Sequence, residues 1–182
     1  FWDGQGFLNQ YEIHGNAQYK VDFNEALQIA VQTNAGSGNT TAGATYSVNA
    51  QETNPRGLTF NTDGTKMFVT GTTGKDVNEY TLSVGFDLTS TVTFVDSFSV
   101  SSQESGPTAV KFNTDGTKMF VTGTVSSNVH EYALSTGFDV STASFTQTLV
   151  TTVDSDNFGL DFKDDGTKMY LTGNQNDKIH EY

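Results

Sequence analysis

Apolar residues along this 182-residue chain fall into short runs of period two, separated by clusters of Gly, Asn, Asp, Ser and Thr. Over 109–112, Val110 and Phe112 alternate with Ala109 and Lys111, which predicts a strand with one strongly apolar face. In the next run Met119, Phe120 and Val121 are consecutive. Both faces of that strand are apolar, so it is covered on both sides. Between the two runs stands Asp115-Gly116. Gly takes positive φ without steric cost and Asp bonds its own backbone, so the pair predicts a hairpin tip. The stretch F-N-T-D-G-T-K-M-F-V-T-G starts at Phe60 and again at Phe112, and returns as F-K-D-D-G-T-K-M-Y-L-T-G at Phe162, spacings of 52 and 50 residues. A period near fifty is the signature of a repeat architecture.

Each full unit carries four strand candidates: near 58–60 and 109–112, then 66–70 and 118–122, then 77–82 and 129–134, and finally 92–100 and 145–150. Polarity rises from the first to the fourth, which suits a blade whose first strand lies near an axis. The expected fold is all-β, built of β-propeller-type four-stranded blades in about three repeats over 45–96, 97–147 and 148–182, the last stopping in its third strand. Propellers close with roughly 4–8 blades. The reading favours a segment of a longer propeller over completion by another subunit or by the stretch 19–31. Residues 1–44 form a divergent N-terminal segment. Leu8–Tyr11 matches Val77–Tyr80 as part of an earlier repeat, and Tyr19, Val21, Phe23, Leu27, Ile29 and Val31 alternate as strands, with a short helix over 23–32 as the alternative. From Thr33 to Thr45 the composition is that of a flexible linker.

The D-G-T-K-M-F-V-T-G core followed by V-x-E-Y resembles YVTN-type β-propeller repeats and, more loosely, WD-repeat propellers, though no Trp-Asp dipeptide closes a unit. The S-T-G-F-D-V-S-T form at 135–142 is similar to repeat arrays of marine phage virion and bacterial surface proteins. The resemblance spans about 45–182 and implies an extracellular, cell-surface or virion setting.

Charge narrows the partners. The net charge is −12, with 9 Lys and Arg against 21 Asp and Glu, which argues against nucleic acid and against anionic lipid. An acidic surface suits a salty exterior. No run of about 18 apolar residues predicts a membrane span, and with no Cys there are no disulfides or thiolate metal sites.

Candidate chemistry is sparse. Asn61, Asp63, Asn113, Asp115, Asp164 and Asp165 offer oxygen ligands for calcium, but they lack the spacing and the later bidentate Glu of a calcium loop, so the turn itself is the favoured reading and no cofactor is expected. His130-Glu131 and His180-Glu181 lack the second His of a zinc helix and read as strand packing. Phe86-Asp87 and Phe138-Asp139 recur and read as Phe packed into the blade. There is no Ser-His-Asp order with local context and no phosphate-binding Gly loop.

Comparison of the units with one another separates constant from variable connections. The first-to-second turn and the third-to-fourth loop stay nearly constant, whereas the second-to-third and fourth-to-first loops change sequence. In an up-and-down blade the two variable loops emerge at one end. Partner contact is therefore expected there, at Glu52, Arg56, Asp76, Glu104, Asn128, Asp154, Asp156 and Asp177. The function expected is a non-catalytic structural or interaction module that binds protein subunits of a larger assembly or surface glycans. The alternative is a fragment of a propeller enzyme, lactonase- or lyase-like, with its catalytic residues in other blades.

Overall fold

The computed structural model describes residues 10–13, 17–20, 43–151 and 154–182. Two compact units are distinguished, Phe1–Gly43 and Ala44–Tyr182. In the first, β1 (Gln10–Ile13) pairs antiparallel with β2 (Ala17–Lys20). The expected strands or helix over 21–31, and the linker up to residue 42, lie outside the described residues.

The second unit is a row of three antiparallel sheets. Blade 1 runs in the order β3 (Pro55–Phe60), β4 (Lys66–Gly71), β5 (Asp76–Leu82), β6 (Val92–Ser99). Blade 2 repeats it with β7 (Pro107–Phe112), β8 (Lys118–Gly123), β9 (Val129–Leu134) and β10 (Ala143–Leu149), a 3-10 turn over Val140–Thr142 preceding the last strand. Blade 3 has β11 (Asn157–Phe162), β12 (Met169–Gly173) and β13 (Ile179–Glu181). Every strand therefore pairs with its sequence neighbour, as the hairpin signals require. Each first strand carries a β-bulge near its start, at Pro55/Gly57, Pro107/Ala109 and Asn157/Gly159. A bulge re-aims the residue it carries, which here is Arg56, Thr108 or Phe158.

The tip between first and second strands is a five-residue loop rather than a two-residue hairpin. Asn61 N–H donates to the Lys66 carbonyl at 3.0 Å and Gly64 N–H to the Asn61 carbonyl at 3.1 Å. Asp63 Oδ1 accepts from Thr65 N at 2.9 Å and Thr65 Oγ1 at 2.6 Å, while Asn61 Oδ1 accepts from Lys66 N at 2.9 Å. The oxygens weighed as calcium ligands are thus engaged by the turn. Gly64, Gly116 and Gly166 all have φ near +70°, at +72°, +72° and +70°. The third-to-fourth loop seats its Phe on this Gly: a Cβ on Gly116 would meet the Phe138 ring at 2.3 Å, and Phe138 N–H donates to the Gly116 carbonyl at 3.0 Å. The two constant loops are constant because they fit each other.

Burial follows the blade order. In β4 the pattern from Met67 to Gly71 is continuously buried, whereas β6 is largely exposed. Blades meet through their second strands. Phe68 stacks at 4.4 Å on Phe112, and Phe120 at 4.6 Å on Phe162. Phe68 and Val77 of blade 1 join Val110, Met119, Val121 and Val140 of blade 2 in one cluster, all at 1% exposure or less. At about 1.5–3 kcal/mol per fully buried apolar side chain, this inter-blade seam is a principal stabilising element. A polar clamp fixes its register. Lys66 Nζ bonds Glu79 Oε1 at 2.7 Å and donates to the Phe138 carbonyl at 2.6 Å, and Val140 N–H donates to Glu79 Oε2 at 3.0 Å.

Candidate functional site

The variable loops are short and irregular, so something other than ladder bonds must satisfy their backbone. In blade 1 that agent is Glu52, 1% exposed, which accepts from Asn54 N (2.6 Å), Thr73 N (3.2 Å) and Gly74 N (2.8 Å). In blade 2 it is the fully buried Glu104, which accepts from Gly106 N (2.7 Å), Val125 N (3.2 Å), Ser126 N (3.0 Å) and Ser126 Oγ (2.7 Å). In blade 3 Asp154 accepts from Asp156 N (3.2 Å), Gln175 N (3.4 Å) and Asn176 N (3.3 Å). One acid per blade, rising from the fourth-to-first connection, thus clasps the second-to-third loop from inside. The glycine that closes each repeated stretch makes room for it: a Cβ on Gly123 would meet Glu104 Cδ at 2.6 Å and the Gly106 carbonyl oxygen at 2.2 Å.

The charge is held by those donors. Burial works against ionisation of Glu52, but the N–H groups of Asn54, Gly74 and Thr73 outweigh it and hold the carboxyl below its ordinary value. Asp154 follows the same logic, with burial outweighed by donors from Asp156, Asn176 and Gln175. Asp76 moves the other way, raised chiefly by burial and further by the Glu52 charge, against the hydrogen bond from Asn78.

Of the eight residues expected at a contact surface, Glu52, Glu104 and Asp154 are therefore inward staples. This corrects their expected role, because a carboxylate consumed by three or four internal donors has nothing left to offer a partner. Asp76 and Asn128 are half-buried and serve the loop ends: Thr70 Oγ1 donates to the Asp76 carbonyl at 2.7 Å and Thr122 Oγ1 to the Asn128 carbonyl at 2.8 Å. Asp156 is half-buried, and Arg56 and Asp177 are exposed. Each loop also carries one non-glycine residue in the left-handed region, Lys75, Ser127 and Asp177, with φ of 58°, 57° and 51°. The three loops therefore share a backbone while their outward side chains differ. Thr73 and Gly74, Val125 (66% exposed), and Asn174 to Lys178 face solvent. Sequence reasoning passed over Val125 and Lys75, which only the shared backbone marks as outward positions.

One cluster has the composition of a catalytic triad. Ser126 Oγ lies 2.7 Å from His130 Nε2 and 2.7 Å from Glu104 Oε2, and His130 Nδ1 lies 3.0 Å from Thr148 Oγ1. The wiring is wrong for nucleophilic catalysis. A triad places the acid on the far nitrogen of the imidazole and leaves the near nitrogen to accept the serine proton. Here the serine proton goes to the acid, and the imidazole must donate to the serine. Burial holds His130 below its ordinary pKa despite the nearby Glu104 charge, so it stays neutral. The cluster braces the loop, in agreement with the packing role read for His130.

A cavity of about 640 Å³ opens at the opposite end, lined by Phe112, Phe120, Phe162, Lys111, Asp161 and Gly166 among others. Between blades 1 and 2 the corresponding space holds Phe138; between blades 2 and 3 no described residue lies within 4 Å of a Cβ on Gly166. The cavity is an inter-blade seam. Among the described residues no group of three or more His, Cys, Asp or Glu could hold a metal ion, and no helix is long and apolar enough to cross a membrane.

No family model matches the chain, and no curated protein matches it. Solved structures do resemble it. A protein from Bacteroides fragilis provisionally assigned as a 6-phosphogluconolactonase superimposes with a TM-score of 0.55 at 14% identity, over 70% of this chain and 34% of that one. A second, from Bacteroides uniformis and with the same provisional assignment, gives 0.50 at 14% identity, over 78% and 44%. KlAtg21, solved in complex with the coiled coil of AgAtg16, gives 0.50 at 12% identity, over 75% and 42%. The chain spans about a third of the first of these and less than half of the other two. At these identities the likeness speaks for fold alone, and with the three sheets it shows an all-β chain of β-propeller-type blades.

Proposed function

We propose that this chain is a non-catalytic interaction module that presents the second-to-third loops of its blades to a protein partner. The observation that carries the reading is the row of buried acids at 52, 104 and 154, which fixes three loop backbones alike while leaving Thr73, Val125 and residues 174–178 free to differ. Rigid loops lose little entropy on binding, so varied side chains on a fixed frame are an economical way to tune recognition. The complex of KlAtg21 with a coiled coil supports protein recognition by such a fold. Surface glycans are a second partner class. The net charge of −12 and the resemblance to surface and virion arrays support a place on a cell or particle exterior.

The test is photo-crosslinking in the native assembly, with a benzophenone residue placed singly at Thr73, Val125 or Gln175, and for comparison at Thr62, Thr114 or Asp164 on the turn end. Adducts from the first set support the reading; adducts from the second set alone overturn it.

The second reading is a propeller enzyme, supported by the provisional lactonase assignments of the two Bacteroides proteins. Its test is hydrolysis of 6-phosphogluconolactone. Turnover above the spontaneous rate that is lost in His130→Ala would displace the interaction reading.

A further inference from the structure

The two outer faces of the blade row are halves of one interface, and that interface already exists twice inside the chain. On blade 1 a groove of about 230 Å³ is lined by Tyr46, Val48, Leu58, Met67, Val69 and Leu88. Leu58 and Phe86 beside it are 58% and 63% exposed. One repeat later, 52 residues on, the same positions are Val110, Phe138, Met119, Val121 and Val140. There the groove is filled: Phe68 and Val77 of blade 1 pack into it, and Val110 and Val140 are 1% and 0% exposed. The first groove thus has a defined complement, an aromatic and a β-branched residue from the second and third strands of a preceding unit.

Blade 3 displays that complement. Tyr170 stands where Phe68 and Phe120 stand, and Ile179, 73% exposed, stands where Val77 and Val129 are fully buried. The polar clamp is present too. Lys168 Nζ bonds Glu181 Oε1 at 2.7 Å, with both side chains about half exposed. The matching pair Lys66–Glu79 is 27% and 1% exposed, because Lys66 grips the Phe138 carbonyl and Glu79 the Val140 N–H of the next blade. In a further unit docked on blade 3, the groups to be gripped are the Phe86 carbonyl and the Leu88 N–H.

We infer that this chain associates head to tail with a second copy of itself, blade 1 of one copy seated on blade 3 of the other. Both halves lie on the same chain, so the contact is heterologous and extends to a ring or a row of blades according to whether the rotation closes. This surface is the blade face, separate from the loop end assigned to a partner above, and the inference stands without that reading.

The test is sedimentation velocity of the 182-residue protein from 1 to 200 µM, together with Leu58→Asp and Ile179→Asp, each checked for an unchanged circular dichroism spectrum and melting temperature. Both substituted residues are exposed, so the monomer fold tolerates the change. The expected result is concentration-dependent association that either substitution weakens at least tenfold, while an equimolar mixture of the two variants regains one-to-one dimers through the remaining intact pair of faces. A protein that stays monomeric to 200 µM overturns the inference and leaves further repeats of the same polypeptide as the occupant. Association that survives both substitutions, or that mixing fails to restore, also overturns it.

Discussion

Replacing Glu104 with Gln removes charge while keeping volume, which isolates the staple from simple cavity formation. The wild-type carboxylate accepts four hydrogen bonds at 2.7–3.2 Å, three from backbone N–H groups, in a site with no solvent exposure. The amide keeps one acceptor oxygen and turns an N–H₂ group toward donors. At least one N–H is left without a partner, at about 1–3 kcal/mol, and the hydrogen bonds that survive lose their charge assistance. A destabilisation of about 3 kcal/mol is expected, and about 4 kcal/mol for Glu104→Ala, which orphans every donor. Urea denaturation with an unchanged m-value is the assay. Amide exchange should show Val125 and Ser126 losing protection before the strands do. A loss below about 0.5 kcal/mol for both variants would refute the staple, because it would place the acid among ordinary surface residues.

Gly116→Ala should cost about 2–4 kcal/mol, combining positive φ with a Cβ 2.3 Å from the Phe138 ring, whereas Gly166→Ala meets nothing within 4 Å and should cost about 1 kcal/mol; equal losses by thermal melting would mean that the ring contact is immaterial. Lys66→Met leaves Glu79, 1% exposed, without its cation and should cost about 3–5 kcal/mol, while Lys168→Met, in a half-exposed pair, should cost at most about 1 kcal/mol by denaturant titration. Stability should fall as pH drops below about 6.5, where the unfolded chain protonates His130 and the folded one resists. It should fall further below the ordinary carboxylate values of 4.5 and 3.8, because Glu52, Asp63, Asp115 and Asp154 all have lowered folded values and the stability they contribute above those values is lost in acid. A melting temperature independent of pH from 7 to 3 would contradict both signs.

The repeat, the strand order and the turns were legible because each depends on local chemistry. Asp115-Gly116 demands a left-handed residue, and three consecutive apolar residues at 119–121 demand cover on both faces. The matching of Phe138 to Gly116 was half legible: Phe was read as packed, but its partner lies 22 residues away and shows no spacing signal. Phe86 departs from that reading, 63% exposed because no described blade precedes it. The staple was misread for a simple reason. Loops were scored as variable by overall letter change, yet an acid stands at 52, 104 and 154 in every unit, and only its burial separates a carboxylate facing inward from one facing a partner. Ser126 with His130 illustrates the converse limit. Residue types alone read as catalytic, and only the direction of each hydrogen bond removes that role.

The central claim is that buried acids set the loop backbones and leave the outward side chains free to change. Exchanging four residues tests it directly: Thr72-Thr73-Gly74-Lys75 of blade 1 is replaced by Thr-Val-Ser-Ser, the sequence found at 124–127 of blade 2. With Glu52 intact, the account predicts a change in stability of no more than about 0.5 kcal/mol, the level of ordinary surface substitutions, or about 1–2 °C in melting temperature. The amide of residue 74 should stay as protected from exchange as in the parent. A loss matching that of Glu52→Ala, or fast exchange at residue 74, would contradict it.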